Sequence, residues 1–194
     1  MKLILQNVRM SFPDIFIPTN FQGQGELKYK ASFLFPKEHS CMPKIKAAIN
    51  EAATEKWGAK AEANLAGIKA KDTLCLHSGS TKPDYEGYEG NLFLTASNKV
   101  KPTIRDVDGR TELVESSGRP YGGCYVNAHI EIYAQDNKYG KRINATLRGI
   151  QFVADGDAFS ASPPSSDDEF DDLAGGEGID NAAVSKSALD DDLI

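Results

Sequence analysis

The chain has 194 residues, 40% hydrophobic and 26% charged, which is too apolar for a wholly disordered polymer and ordinary for one globular domain with an appendage. No run of about 18 apolar residues is present, which excludes a helical membrane span. Residues 1–9 lack the apolar core and small-residue cleavage site of a secretory leader, so a cytoplasmic location is expected. The net charge of −6 conceals a division: residues 1–153 carry 21 Lys and Arg against 16 Asp and Glu, a net of +5, whereas residues 154–194 carry one base, Lys186, against 12 acids, a net of −11. A basic body joined to an acidic tail points to nucleic-acid binding or self-masking.

Residues 2–9 alternate weakly, with Leu3 and Leu5 on one face and Ile4 and Val8 on the other. Residues 28–35 set Tyr29, Ala31, Phe33 and Phe35 against Lys28, Lys30 and Ser32. A helix follows. Ser40 has the chemistry of an N-cap, Pro43 suits the first turn, and Met42, Ile45, Ala48, Ile49 and Ala52 form one stripe that Gly58 ends after Trp57. Residues 59–65 make a second, shorter helical stretch. Residues 73–77 are a short apolar run, and residues 81–90, rich in Gly and Tyr, read as an exposed loop. Residues 91–97 alternate Leu92, Leu94 and Ala96 inward against Phe93 and Thr95 outward.

The clearest strand is residues 124–135. Its inward set is Cys124, Val126, Ala128, Ile130, Ile132 and Ala134, and its outward set is Tyr125, Asn127, His129, Glu131, Tyr133 and Gln135. A turn at residues 136–140 leads into residues 142–148, with Ile143, Ala145 and Leu147 inward and Arg142, Asn144, Thr146 and Arg148 outward. Period two with one apolar face marks half-buried antiparallel strands. After Val153 the pattern stops, and the Asp, Ser, Pro and Gly that follow cannot bury enough apolar surface to offset ordering entropy. The expected organisation is a mainly β domain, residues 1–153, and a disordered acidic tail, residues 154–194. An OB-type Greek-key barrel with one inserted helix suits the domain; a sandwich is the alternative.

Cys41, Cys75 and Cys124 are odd in number and far apart, with no CxxC pair, so reduced buried thiols are expected rather than disulfides or zinc. Cys75 and His77 lack a second ligand pair, and no metal or other cofactor is expected. There is no P-loop, GxSxG, HExxH or deaminase signature, so the chain reads as a binder and not an enzyme.

The outward faces carry the functional signal. A solvated strand normally presents Lys, Thr, Glu and Ser. Here Tyr125 and Tyr133 flank Asn127 and His129, and the neighbouring strand presents Arg142 and Arg148. Rings interleaved with cations suit single-stranded nucleic acid, because bases stack on rings at ~1–3 kcal/mol each while cations follow the phosphates. The expected DNA-binding set is Lys30, Phe93, Tyr125, Tyr133, Lys138, Tyr139, Lys141, Arg142 and Arg148. Two other uses of the same face are a subunit interface in a homo-oligomer or scaffold, and RNA binding. In the tail, Asp190, Asp191 and Asp192 would steer towards a basic-rimmed pocket on a partner protein where Leu193 and Ile194 dock. The polyanion would also compete for the basic body; a plain solubility tail is the alternative.

Several segments together resemble a known family: Tyr121-Gly-Gly-Cys-Tyr-Val-Asn-Ala-His-Ile-Glu-Ile-Tyr-Ala-Gln, the basic hairpin after it, Leu147-Arg-Gly-Ile-Gln-Phe-Val, Val8-Arg-Met-Ser-Phe, Ala31-Ser-Phe-Leu-Phe-Pro-Lys, and the acidic tail. The chain is similar to the phage-encoded single-stranded-DNA-binding proteins. The resemblance implies an OB-type barrel, coating of single-stranded DNA in phage replication or recombination within the host bacterium, and tail contacts to replication or recombination proteins. Relatives with this role often end in an aromatic residue; this chain ends Leu193-Ile194.

Overall fold

Strands of 13 to 20 residues are too long to lie flat around a small core, and here four of them bend, with one shorter strand, into a ring. A computed structural model describes residues 1–21 and 24–159, all within one unit, Met1–Ser160. In chain order the elements are β1 (Lys2–Phe21), β2 (Gln24–Pro36), α1 (Met42–Trp57), α2 (Ala61–Ala70), β3 (Leu76–Ser78), β4 (Asn91–Asn98), β5 (Thr103–Arg105), β6 (Tyr125–Asn137) and β7 (Gly140–Ala154). Of the expected tail, residues 154–194, Ala154 ends β7 and residues 155–159 are described with the barrel; residues 160–194, and the expectation of disorder for them, lie outside the described residues.

β1 pairs antiparallel with β2 on one side and β6 on the other. β2 pairs with β4, and β6 with β7, also antiparallel. A parallel bridge, Ser97 to Thr146, joins β4 to β7 and closes the ring β1-β2-β4-β7-β6. This is a closed five-stranded barrel of OB type, the architecture expected for the domain, and not the alternative sandwich. The short strands β3 and β5 extend it at β4 and β7.

Alternation fills the interior. Cys124, Val126, Ala128, Ile130 and Ile132 from β6 meet Ile143, Ala145 and Leu147 from β7, together with Phe33, Phe35, Leu94 and Ala96, and all are buried. Closure demands bends, and bulges supply them. Asn7 and Phe12 adopt left-handed φ values of 51° and 48°, and the β1–β6 register shifts between Leu5 and Val8. That bulge corrects the sequence reading of β1: the extra residue brings Val8 into the core beside Leu5 instead of onto the opposite face.

α1 buries Met42, Ile45, Ala48, Ile49, Ala52 and Ala53 and packs on β6, and Gly58 ends it at a φ of 52°. Its N-cap position is Cys41 and carries no side-chain cap, so Ser40 does not serve as the cap; with Pro43 in the first turn, the helix needs one fewer N–H satisfied there. α2 is offset from the expected 59–65 by a short 3₁₀ turn at Gly58–Lys60. The three cysteines are free and buried; burial pushes the Cys75 thiol up to about 12 and the Cys124 thiol up to about 11. No helix among the described residues is long and apolar enough to cross a membrane.

Adjacent residues of β6 test this alternation. Ile132→Ala should cost about 2–5 kcal/mol in urea unfolding, and Tyr133→Ala, one residue on but outside, under about 1 kcal/mol. Equal losses would contradict the inward and outward assignment.

Candidate nucleic-acid interface

The barrel's second and third strands, β2 and β4, present an outer face on which Lys28, Lys30, Ser32, Thr95, Ser97 and Lys99 alternate with core residues. Ring closure sets the outward residues of β6 and β7 beside it. Lys28, Ser97 and Lys99 line one cleft of about 730 Å³ with Tyr133, Asn144 and Arg142. Glu26 and Asp72 also line this cleft, so it is mixed in charge and not uniformly basic.

The expected site residues divide on the structure. Tyr133 is 42% exposed, faces Asn144 across the β6–β7 ladder, and shares the cleft with Arg142. Tyr139, 72% exposed, stands on the β6–β7 turn with the Lys138 ammonium 5.0 Å from its ring centroid. Lys30 pairs with Asp14 at 3.3 Å and Lys141 with Asp136 at 2.7 Å. Such exposed pairs are worth ~0–1 kcal/mol, so an incoming phosphate can replace either carboxylate.

Three placements differ from the sequence reading. Phe93 does sit on the outer side of β4 but is only 4% exposed, because the loop at residues 81–90 folds over it and buries Tyr88 between Phe93 and Ser11. It is therefore a floor and not an open platform, and the loop read as exposed is partly core. Arg148 does not join Tyr133 and Arg142. β7 turns towards β5 beyond Thr146, and Arg148 bonds Glu131 at 2.8 Å and lines a separate cleft with Lys2, Arg105 and His129. Tyr125 is half-buried, with the Arg9 guanidinium 5.8 Å from its ring centroid.

Above Phe93 lies a cluster that strand alternation did not find. The Lys82 ammonium sits 5.1 to 5.5 Å from the ring centroids of Phe12, Tyr85, Tyr88 and Phe93. Phe12 and Tyr85 meet edge to face at 5.1 Å and are 44% and 49% exposed. His77 stacks on Phe93 at 5.1 Å, held by Asp72 at 2.8 Å. Burial, and secondarily the charge of Lys30, hold the Lys82 ammonium below its usual pKa. The signal for this cluster was the Gly- and Tyr-rich composition of residues 81–90. For Phe12 there was none, because its outward aim depends on its left-handed φ.

The result is an OB-type barrel whose β2–β4 side carries cations and rings, interspersed with Asp14, Glu26 and Asp72, out to the β6–β7 turn. In OB barrels this face and these connections hold single strands. The family model described as the single-stranded-DNA-binding protein of Enterobacter phage Enc34 matches residues 1–181, and the chain belongs to that family. A protein p50 of Acyrthosiphon pisum secondary endosymbiont phage 1 is 46% identical over 177 residues, covering 90% of this chain and 95% of that one. The single-stranded DNA-binding protein of bacteriophage Enc34, solved in complex with single-stranded DNA, superposes with a TM-score of 0.68 at 29% identity, over 82% of this chain and 89% of that one. The single-stranded DNA-binding protein encoded by bacteriophage T7 shares the fold, at a TM-score of 0.56 and 12% identity over 79% of this chain and 91% of that one.

The proximity of Lys30 and Lys82 is open to measurement. Lys30→Met should raise the Lys82 pKa part of the way towards the ordinary lysine value in a ¹³C NMR titration; no change would leave burial as the sole cause of its depression.

Proposed function

We propose that this protein binds single-stranded DNA, with little sequence preference, along the β2–β4 face, and coats it during phage DNA replication or recombination in the host bacterial cytoplasm. The observation that carries this is the half-buried Lys82 ammonium set among four rings, on the same side of the barrel as the cleft of Lys28, Lys99, Tyr133 and Arg142. Exposed rings supply stacking that ignores base identity, and the lysines and Arg142 supply phosphate contacts. Duplex DNA, whose base faces are hidden, would gain only the second. Membership of a phage single-stranded-DNA-binding family supports the same reading, and the protein acts as a binder and not as an enzyme.

The face includes Lys28, Lys30, Lys82, Tyr85, Lys99, Tyr133, Lys138, Tyr139, Lys141 and Arg142. Phe93 supports it from beneath, Tyr125 lies at its end beside Arg9, and Arg148 stands outside it. The acidic tail competes for this face as a tethered polyanion, and its last residues, Asp190, Asp191, Asp192, Leu193 and Ile194, recruit replication or recombination proteins.

Fluorescence anisotropy with labelled oligo(dT) tests the face. Tyr133→Ala and Lys82→Ala should each weaken binding by ~1–3 kcal/mol, and Arg148→Ala by less than about 0.5 kcal/mol. Equal effects at all three positions would move the site off this face. The same assay tests the tail: a chain ending at Phe159 should bind more tightly than the full chain at low salt, with the gap closing as salt rises. Identical affinities at low salt would leave the tail without a competitive role.

A further inference from the structure

Among the described residues none beyond Ala154 is in a strand, yet residues 155–159, Asp-Gly-Asp-Ala-Phe, lie against the body at the end of the strip. Their polar hold is short. The Tyr121 hydroxyl bonds the Asp155 carboxylate at 2.9 Å and donates to the Gly156 carbonyl at 3.0 Å. Arg9 donates to the Asp157 carbonyl at 2.7 Å, and the Phe159 N–H to the Gly122 carbonyl at 3.0 Å. The Phe159 ring packs on the cluster of Leu34, Tyr88 and Phe93, and the Arg9 guanidinium lies 4.3 Å from its centroid. Arg9 thus faces two rings, Phe159 and Tyr125. Gly87, at a φ of 80°, leaves the space for Phe159: a Cβ there would lie 2.7 Å from the ring.

The slot has the chemistry of a nucleotide site. An arginine stacks its plane on a flat ring and offers N–H groups at the ring's edge to an oxygen, as it would to a base and its phosphate. The occupant supplies that same pair, an aromatic ring and a nearby chain of acidic residues. A β-branched or long side chain on the loop would close the slot; glycine keeps it open to a planar group. The slot also adjoins the Lys82 cluster through Tyr88 and Phe93, so a strand lying on the face would reach it without a turn away from the barrel.

We infer that the slot between Arg9, Gly87 and Leu34 is a nucleobase subsite for single-stranded DNA, and that Phe159 fills it as a base mimic when DNA is absent. It rests on the β2–β4 face being the DNA-binding surface, and it adds one subsite and one named competitor to that face. A base entering the slot would displace the Phe159 ring, stack on Arg9, and place its phosphate within reach of the guanidinium now bonded to the Asp157 carbonyl. A ring that only staples the fold would instead stay in place when DNA binds.

Two measurements on the full chain decide it. In oligo(dT) anisotropy, Phe159→Ala should bind roughly fivefold more tightly than the unaltered chain, as removal of a competitor held most of the time requires. Adding Arg9→Ala should abolish that gain. Unchanged or weaker binding by Phe159→Ala would overturn the inference. In ¹⁵N NMR of the unaltered chain, oligo(dT) should shift the amides of Gly87 and Phe159 together with those of Lys99 and Asn144. Shifts at Lys99 and Asn144 without Gly87 and Phe159 would overturn the subsite and leave the face standing. An absence of shifts at all four would overturn both.

Discussion

Ring closure between β4 and β7, at Ser97 and Thr146, is the constraint from which the functional surface follows. In an open sheet the lysines of β2, with Lys99 just past β4, and the Tyr133–Asn144 pair of β6 and β7 would belong to different edges. Closing the ring makes them walls of one cleft. Closure in turn depends on strands that bend, and the bends sit at bulges where Asn7 and Phe12 accept left-handed backbone at some cost. The bulge at Phe12 also turns its ring outward to join Tyr85 and Lys82. One local distortion thus serves both the barrel and the strip of rings.

Magnitudes separate the cations on this face. Lys30, Lys99 and Lys141 are held by exposed carboxylates, Asp14, Glu26 and Asp136, in pairs worth ~0–1 kcal/mol that a polyanion can exchange at little cost. Lys82 differs. It is held by rings and is half-buried, with no carboxylate paired to it among the described residues, so its charge is less compensated in the free protein. A phosphate beside it would supply the compensating charge that the rings do not. The strongest gain on binding is therefore expected where the free protein is least satisfied, in the loop after β3 and not on the regular strands.

Alternation in the sequence sufficed for the barrel interior: the inward sets of β6 and β7 are buried except for Ala134, which is half-buried at the core's edge. It also placed Tyr133 and Arg142 outward correctly. What it missed has one physical origin. Period two says which side of a strand a residue faces, and nothing about what later covers that side. Phe93 is outward and buried because a loop ten residues long, with Tyr88 at its centre, folds back onto it. Arg148 is outward but turned into another cleft, because β7 leaves β4 for β5. Arg9, Phe12 and Lys82 were missed because loops and bulges, not strand period, assemble them.

The central claim is that single-stranded DNA runs across β2 and β4 from the Lys82 cluster to the β6–β7 turn. Ultraviolet crosslinking of oligo(dT) to the full chain, with mass-spectrometric mapping of the attached residues, tests it most directly. Crosslinks at Phe12, Tyr85, Tyr133 and Tyr139 are predicted. Crosslinks confined to the cleft of Lys2, Arg105, His129 and Arg148 would contradict the account and place the DNA on the other side of β7.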